Sequence, residues 1–359
     1  MLKKMICVLM VLGLLLGSAA LAEETVLDLR GRTFSGLEDV CRAIDGAGEV
    51  DVVDLTNVNL SVSIRKQLVA KYPDVHFRWT LNVFGKQVSS EDTILNLNGV
   101  YVGDRNKLCD YLDCLPNLEK VLMYNNYTTL AERERMYYGY PDIFFGWRFS
   151  LDNGRCGVRT DATAFSTLKK DGSPRMGNAS TSWVQFCPYL RALDLGHNAI
   201  SDLSFLEKAP KLKVLILADN RITDLSPIAC QTELEYLELF MNNIVDISPL
   251  ANLTMLKDLN LCANNITDLS PLYGLPNLER IWLSRNYGIT QEQKDELRAH
   301  FPDAEIVYAS YGTTGVIYDE NGREIPGTGW RKHERFRIVW TIFNKGEYLP
   351  WDAEIEWND

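Results

Sequence analysis

Leucine and asparagine return every 22 residues through the second half of this chain, and no other feature restricts its fold so far. Leu190, Leu212, Leu234, Leu256 and Leu278 keep that step, as do Asn198, Asn220, Asn242, Asn264 and Asn286. The unit reads Leu-x-x-Leu-x-Leu-x-x-Asn-x-Ile-x-Asp-Leu-Ser-Pro-Leu; one copy runs Leu212, Leu215, Leu217, Asn220, Ile222, Asp224, Leu225, Ser226, Pro227, Ile228. A period of this length marks stacked repeats, in which no unit buries its apolar face alone. Leu215 and Leu217 alternate with Val214, Ile216 and Ala218, the period-two pattern of a short strand with its leucines inward. Side by side, such strands make a parallel sheet over a continuous leucine core. The chain turns sharply after each strand and leaves backbone groups inside. An Asn side chain brings donors and an acceptor to satisfy them where water does not reach. The Asp-Leu-Ser-Pro that follows predicts a 3₁₀ turn, with Asp224 capping the amides ahead and Pro227 placed where no donor is required. Asp202, Asp224, Asp246 and Asp268 therefore read as structural; no EF-hand-like cluster surrounds them, and no metal is expected.

The unit resembles the 22-residue repeat of internalin-type bacterial leucine-rich-repeat proteins, from Leu190 to about Ile289. The resemblance implies a secreted or surface-attached protein whose curved sheet binds other proteins. No cell-wall sorting motif with an apolar tail is present, so anchoring and host invasion are not carried over. The expected fold is an α/β leucine-rich-repeat solenoid. Its curved parallel sheet has 3₁₀ turns on the convex side of the regular repeats at 186–308. Helix-bearing irregular repeats occupy 23–147, and a small β-rich cap occupies 309–359.

The first 22 residues read as a secretory signal peptide. Lys3 and Lys4 precede an apolar run from Met5 to Leu16, and Ala20-Leu21-Ala22 has the small residues of a cleavage site. The run is shorter than the roughly 20 apolar residues that span a bilayer, so no membrane span is expected after cleavage near Ala22. Export raises the question of disulfides. Seven cysteines follow Cys7, an odd number, and Cys109 with Cys114 or Cys156 with Cys187 are available to pair. The spacing favours free, buried thiols; Cys41 lies on the apolar face Leu37, Val40, Cys41, Ile44.

Upstream of the regular array, Val26-Leu27-Asp28-Leu29, Val52-Val53-Asp54-Leu55, Ile94-Leu95-Asn96-Leu97 and Lys120-Val121-Leu122-Met123 each resemble a repeat strand. Ser35 with Glu38 reads as a capping box before the first helix, and Thr290 with Gln293 as a cap near the end of the array. An aromatic-Pro-Asp tripeptide ends a helical stretch and opens a strand three times, at Tyr72, Tyr140 and Phe301. Residues 148–185 break the pattern with Asn153-Gly154, Asp171-Gly172 and Ser173-Pro174. They read as a loop-rich insertion, either a surface loop or a binding segment. In the cap, residues 315–325 read as a hairpin and Phe336–Phe343 alternates like a strand. Trp330, Trp340, Trp351 and Trp357 cluster there, covering the open end of the solenoid or forming a carbohydrate platform.

Function follows from what is missing and from what the sheet displays. With a net charge of −11 the chain suits neither a nucleic-acid backbone nor an anionic membrane surface. His-Glu-x-x-His, Gly-x-Ser-x-Gly, phosphate-loop and Gly-x-Gly-x-x-Gly motifs are all absent, so no catalytic residue and no cofactor is predicted. The positions between the inward leucines place Asp194, His197, Ile216, Tyr236, Glu238, Phe240, Met241, Arg280, Trp282 and Arg285 on the concave face. Aromatic residues rimmed by charge have the composition of a protein interface. The expected function is a secreted, non-enzymatic scaffold recognising an extracellular protein or peptide through that face, unless the cap or the 148–185 segment covers it. The alternatives are a glycan or cell-envelope binder using the Trp-rich segment, and a hydrolase centred on His197.

Overall fold

A computed structural model of the chain describes residues 24–151, 156–168 and 175–354. The predicted signal peptide lies outside them. The described residues divide into two compact units, one running to Val121 and including Thr128–Phe144, the other made of Leu122–Tyr127 and the chain from Phe145 onward.

The first part alternates short strands with helices: β1 (Val26–Asp28), α1 (Leu37–Asp45), β2 (Val52–Asp54), α2 (Val62–Lys71) and β3 (His76–Arg78), then a hairpin of β4 (Thr80–Val83) and β5 (Lys86–Ser89). β1, β2 and β3 pair in parallel, with Leu27, Val53 and Phe77 in register. The plan repeats as β6 (Ile94–Asn96), α3 (Arg105–Leu112), β7 (Lys120–Leu122), α4 (Leu130–Gly139) and β8 (Phe144–Gly146), with a second hairpin of β9 (Arg148–Leu151) and β10 (Cys156–Arg159).

These two stretches are copies of one module. Cys41, Asp45, Arg65, Tyr72, Pro73, Asp74, Phe77 and Trp79 recur, at a step of 68 residues, as Cys109, Asp113, Arg133, Tyr140, Pro141, Asp142, Phe145 and Trp147. Their contacts recur too. The Tyr72 hydroxyl donates to Asp45 at 2.7 Å and the Tyr140 hydroxyl to Asp113 at 2.8 Å. Phe77 stacks on Trp79, and Phe145 on Trp147, both with centroids 5.1 Å apart. Each tryptophan amide donates to a hydroxyl at the far end of its hairpin, Ser90 at 3.1 Å and Thr160 at 2.9 Å.

The duplication revises the reading of 148–185 as a loop-rich insertion. Arg148–Leu151 pairs with Cys156–Arg159 as the second hairpin, and its first strand, Arg148-Phe149-Ser150-Leu151, alternates exposed and buried positions as a half-buried strand should. β11 (Ala164–Ser166) then opens the main sheet.

That sheet has seven parallel strands in sequence order: β11, β12 (Ala192–Asp194), β13 (Val214–Ile216), β14 (Tyr236–Glu238), β15 (Asp258–Asn260), β16 (Arg280–Trp282) and β17 (Glu305–Val307). Leu193, Leu215, Leu237, Leu259 and Ile281 stand in register and fully buried. The asparagines bind the turns as their chemistry predicts. Asn242 donates to the carbonyls of Leu217 and Leu239, both at 3.0 Å, and accepts from the Ile222 amide at 3.0 Å. On the opposite side Ser226–Cys230 and Ser248–Asn252 form 3₁₀ helices with proline in the first turn, and Asp224 caps the Ser226 amide at 2.8 Å. α5 (Gln291–His300) carries the predicted Thr290–Gln293 capping box. At α1 the prediction fails: Gly36 is the N-cap, and Ser35 bonds Asp39 instead of Glu38.

Residues 309–354 keep the hairpin, β18 (Ile317–Tyr318) with β19 (Glu324–Ile325), and their remaining regular structure is helical. α6 (Glu334–Lys345) replaces the expected strand at Phe336–Phe343. Phe336, Val339, Ile342 and Phe343 also satisfy helical spacing, and the end signals decide between the two periods. The His333 side chain caps the Arg335 amide at 3.2 Å, and Gly346 closes the helix at φ 69°. No described helix is long and apolar enough to cross a membrane.

Candidate functional site

Side chains that point away from the leucine core form two rows across the sheet. One holds Ala164, Ala192, Val214, Tyr236, Asp258, Arg280 and Glu305; the other holds Ser166, Asp194, Ile216, Glu238, Asn260, Trp282 and Val307. The C-terminal segment lies on these rows. Trp330, Ile338, Val339 and Ile342 pack with Val214, Tyr236, Phe240 and Trp282 in one buried cluster, and Phe336, Phe343 and Trp351 pack against it.

Polar contacts fix that seat. The Trp330 indole N–H lies 2.8 Å from both the Tyr236 hydroxyl and a Glu238 carboxylate oxygen. Arg280 stacks its guanidinium on the Trp330 ring at 4.2 Å and donates to the Trp330 carbonyl at 3.1 Å. Asp258 has no exposed surface and takes Arg335 through both oxygens, at 2.5 and 3.1 Å, with Arg280 at 3.3 Å. Further along, the Trp351 indole donates to Glu235 at 2.7 Å, and Lys213 and Lys257 pair with the same carboxylate at 2.8 and 2.9 Å.

The ten predicted binding residues therefore separate. Asp194, Tyr236, Glu238, Phe240, Arg280 and Trp282 are buried, and Ile216 is half-buried against the same cluster. Their apolar and aromatic character is real, but this chain's own tail uses it. His197, Met241 and Arg285 stay exposed. With Asp219 and Ala263 they occupy one position, the residue just past the turn that ends each strand, and all five adopt left-handed backbone with φ between 51° and 63°. Such a conformation is disfavoured for non-glycine residues. The ladder holds it in place: His197 donates from its amide to Ala218, Asp219 to Phe240, Met241 to Cys262 and Ala263 to Ser284, at 2.8 to 2.9 Å. Tyr287, among the most exposed aromatics described, stands two residues after Arg285.

His197 pairs with Asp219 and not with Asp194, the nearer carboxylate in sequence. Its Nδ1 bonds Asp219 at 2.9 Å, and Arg175 pairs with the same carboxylate at 2.8 Å. Asp194 instead accepts from the Ser166 hydroxyl at 2.6 Å and the Gly196 amide at 2.9 Å, and burial raises its pKa. Among the described residues no group of His, Cys, Asp and Glu is placed to hold a metal. The Trp-rich platform is likewise dispersed: Trp330 is buried, Trp351 half-buried and Trp340 exposed on α6, and Trp357 lies outside the described residues. Cys41, Cys109, Cys114, Cys187, Cys230 and Cys262 are free thiols.

Three stretches, 188–230, 210–252 and 254–297, match the family model of leucine-rich repeats in two copies. Residues 188–297 are leucine-rich repeats. Solved structures similar to the chain include internalin C2 of Listeria monocytogenes, 26% identical over 58% of this chain and 79% of that one, with a TM-score of 0.31. A second internalin of that species, InlF, is 19% identical over 79% and 80%, with a TM-score of 0.35. A leucine-rich-repeat protein of Leptospira interrogans is 18% identical over 74% of each chain, with a TM-score of 0.37. Comparison with curated proteins gives no significant match. The leucine-rich repeats of this chain thus present a concave face occupied in cis and an exposed flank at the strand ends.

Proposed function

We propose that the chain is an exported, non-enzymatic scaffold that recognises a protein or peptide through the exposed flank of its leucine-rich repeats. The observation that carries this reading is the row of left-handed positions. His197, Asp219, Met241, Ala263 and Arg285 present five different side chains from one repeated backbone site outside the tail-covered face. A rigid ladder that varies at one repeated position, exposed at His197, Met241 and Arg285, is suited to recognition because little side-chain order remains to be lost on binding. Met241, Arg285 and Tyr287 supply the residue types enriched in protein interfaces. Export rests on the predicted signal peptide.

A photo-crosslinking residue placed at Met241 or Tyr287 of the full chain tests the proposal. Capture of one defined extracellular protein, competed by unmodified chain and lost in Arg285→Glu, supports it. Crosslinks only from the Asp224 side, or none that competitor removes, refute it.

A further inference from the structure

The N-terminal unit holds a cleft of about 420 Å³ with an arginine in its wall. That volume falls in the range of small-molecule sites, about 300–1,000 Å³. Arg65 is buried, lies over the Trp79 ring at 5.2 Å, and donates to the carbonyls of Leu60 and Val58, each at 3.2 Å. Its remaining terminal nitrogen, Nη1, is buried and has no acceptor among the described residues, and no carboxylate there pairs with the guanidinium. Arginine stays protonated even when buried, so the cleft carries one uncompensated positive charge. The cleft also takes in the start of α2, where Ser61 caps the helix and the first-turn amides favour negative charge.

The rest of the wall mixes the aliphatic Val58, Leu60, Val62 and Leu81 with uncharged polar groups. Asn57, Asn59, Asn82 and Gln87 bring amides, and Ser61, Thr80 and Tyr111 bring hydroxyls. No acidic side chain lines it, so it offers no seat for the ammonium of an amino acid. One guanidinium matches a single negative charge better than a phosphate dianion. Several amides, each both donor and acceptor, match a ligand rich in hydroxyls. The duplicated module shows which part is specialised. The second copy keeps the arginine as Arg133, while Asn82 and Gln87 correspond to Ser150 and Gly157. The framework is shared, Asn57 recurring as Asn125, and the Asn82 and Gln87 amides belong to the first copy.

We propose that this cleft binds an acidic sugar of the uronic-acid class, with its carboxylate on the Arg65 side and its hydroxyls on the amide wall. Titration calorimetry on the full chain with glucuronate and galacturonate, against glucose and acetate, tests this. The expected result is saturable binding of a uronate, with glucose and acetate each weaker by about tenfold or more, as loss of a charge contact or of several hydroxyl contacts predicts. An oligogalacturonide arm distinguishes a polymer end from a free sugar acid; tighter binding of either form supports the site. Gln87→Glu sets a carboxylate in the exposed wall without disturbing a bond the structure shows, and should weaken uronate binding at least about tenfold. Arg65→Met should abolish binding. Because that change also removes two buried hydrogen bonds, Gln87→Glu is the decisive variant. Uronate binding equal to that of acetate, binding unchanged in Gln87→Glu, or no saturable binding overturns the proposal.

Discussion

The indole of Trp330 donates to the hydroxyl of Tyr236 at 2.8 Å across 94 residues of sequence. That bond places a tail residue in the middle of the sheet face, on an aromatic whose exposure the sequence predicts. Large-to-small changes at buried tryptophans cost about 3–5 kcal/mol. Trp330→Ala should therefore lower stability by that order in chemical denaturation. It should also raise binding of an apolar dye, as Tyr236 and Trp282 lose their cover. A variant as stable as the parent and equally dye-silent would show that the tail does not rest on this contact.

The asparagine ladder yields a second expectation. Asn242 is the acceptor for the buried Ile222 amide and shares the Leu217 and Leu239 carbonyls with Asn220 and Asn264. Leaving a buried polar backbone group unsatisfied costs about 1–3 kcal/mol. Asn242→Leu should therefore destabilise by several times the effect of Asn243→Leu, the exposed neighbour. Equal midpoints in urea for the two variants would contradict the ladder's role.

Glu238 predicts a pH dependence. Burial pushes its carboxyl pKa above the ordinary value, and the bonds from Tyr236 and Trp330 only partly offset this. An acid with a raised folded-state pKa binds more protons folded than unfolded. Its contribution favours folding below about pH 4.3 and fades as pH rises through the folded-state value. Glu238→Gln keeps an oxygen for both donors and removes the titration. The melting temperature at pH 7 should exceed that of the parent, and its decline as pH rises above the ordinary carboxylate range should be shallower. A lower melting temperature at pH 7 with an unchanged slope would count against this account.

The cysteines make a fourth test. Burial pushes the thiols of Cys114 and Cys262 up to about 12, and raises that of Cys187 as well. Cys41 is also buried. A thiol reagent should modify the native chain only at Cys109, Cys156 and Cys230, and reach the other four after denaturation. Rapid native labelling of Cys262 would mean that the tail opens readily.

The array was legible because its cause is local. Leu215, Asn220 and Pro227 each answer a need within one repeat, so the period shows in the letters. The tail was not legible as a helix, because Phe336 to Phe343 satisfies both periods and only His333 and Gly346 decide between them. The site suffered from the same ambiguity at a larger scale. Alternation with the inward leucines assigns Tyr236, Phe240 and Trp282 to the face opposite the leucine core, but composition does not say whether an apolar face awaits another molecule or its own chain. The duplicated module had a signal that went unused, the 68-residue step from Tyr72 to Tyr140. The three aromatic-Pro-Asp signals reveal it once Trp79 and Trp147 are aligned. The Arg65 cleft had no sequence signal, since it depends on which carbonyls the guanidinium reaches.

The tail runs from Trp330, held by Arg280, to Tyr348, whose amide donates to the Thr163 hydroxyl at 2.9 Å, and on to Trp351 at Glu235. It thereby joins the latest strands of the sheet to the earliest. Linear stacks of repeats fray at their ends and unravel stepwise, because each layer answers only to its neighbours. A strap laid across all the layers removes that freedom. These repeats should melt in one cooperative event, and cutting the chain after Ile325 should convert it into a graded unzipping.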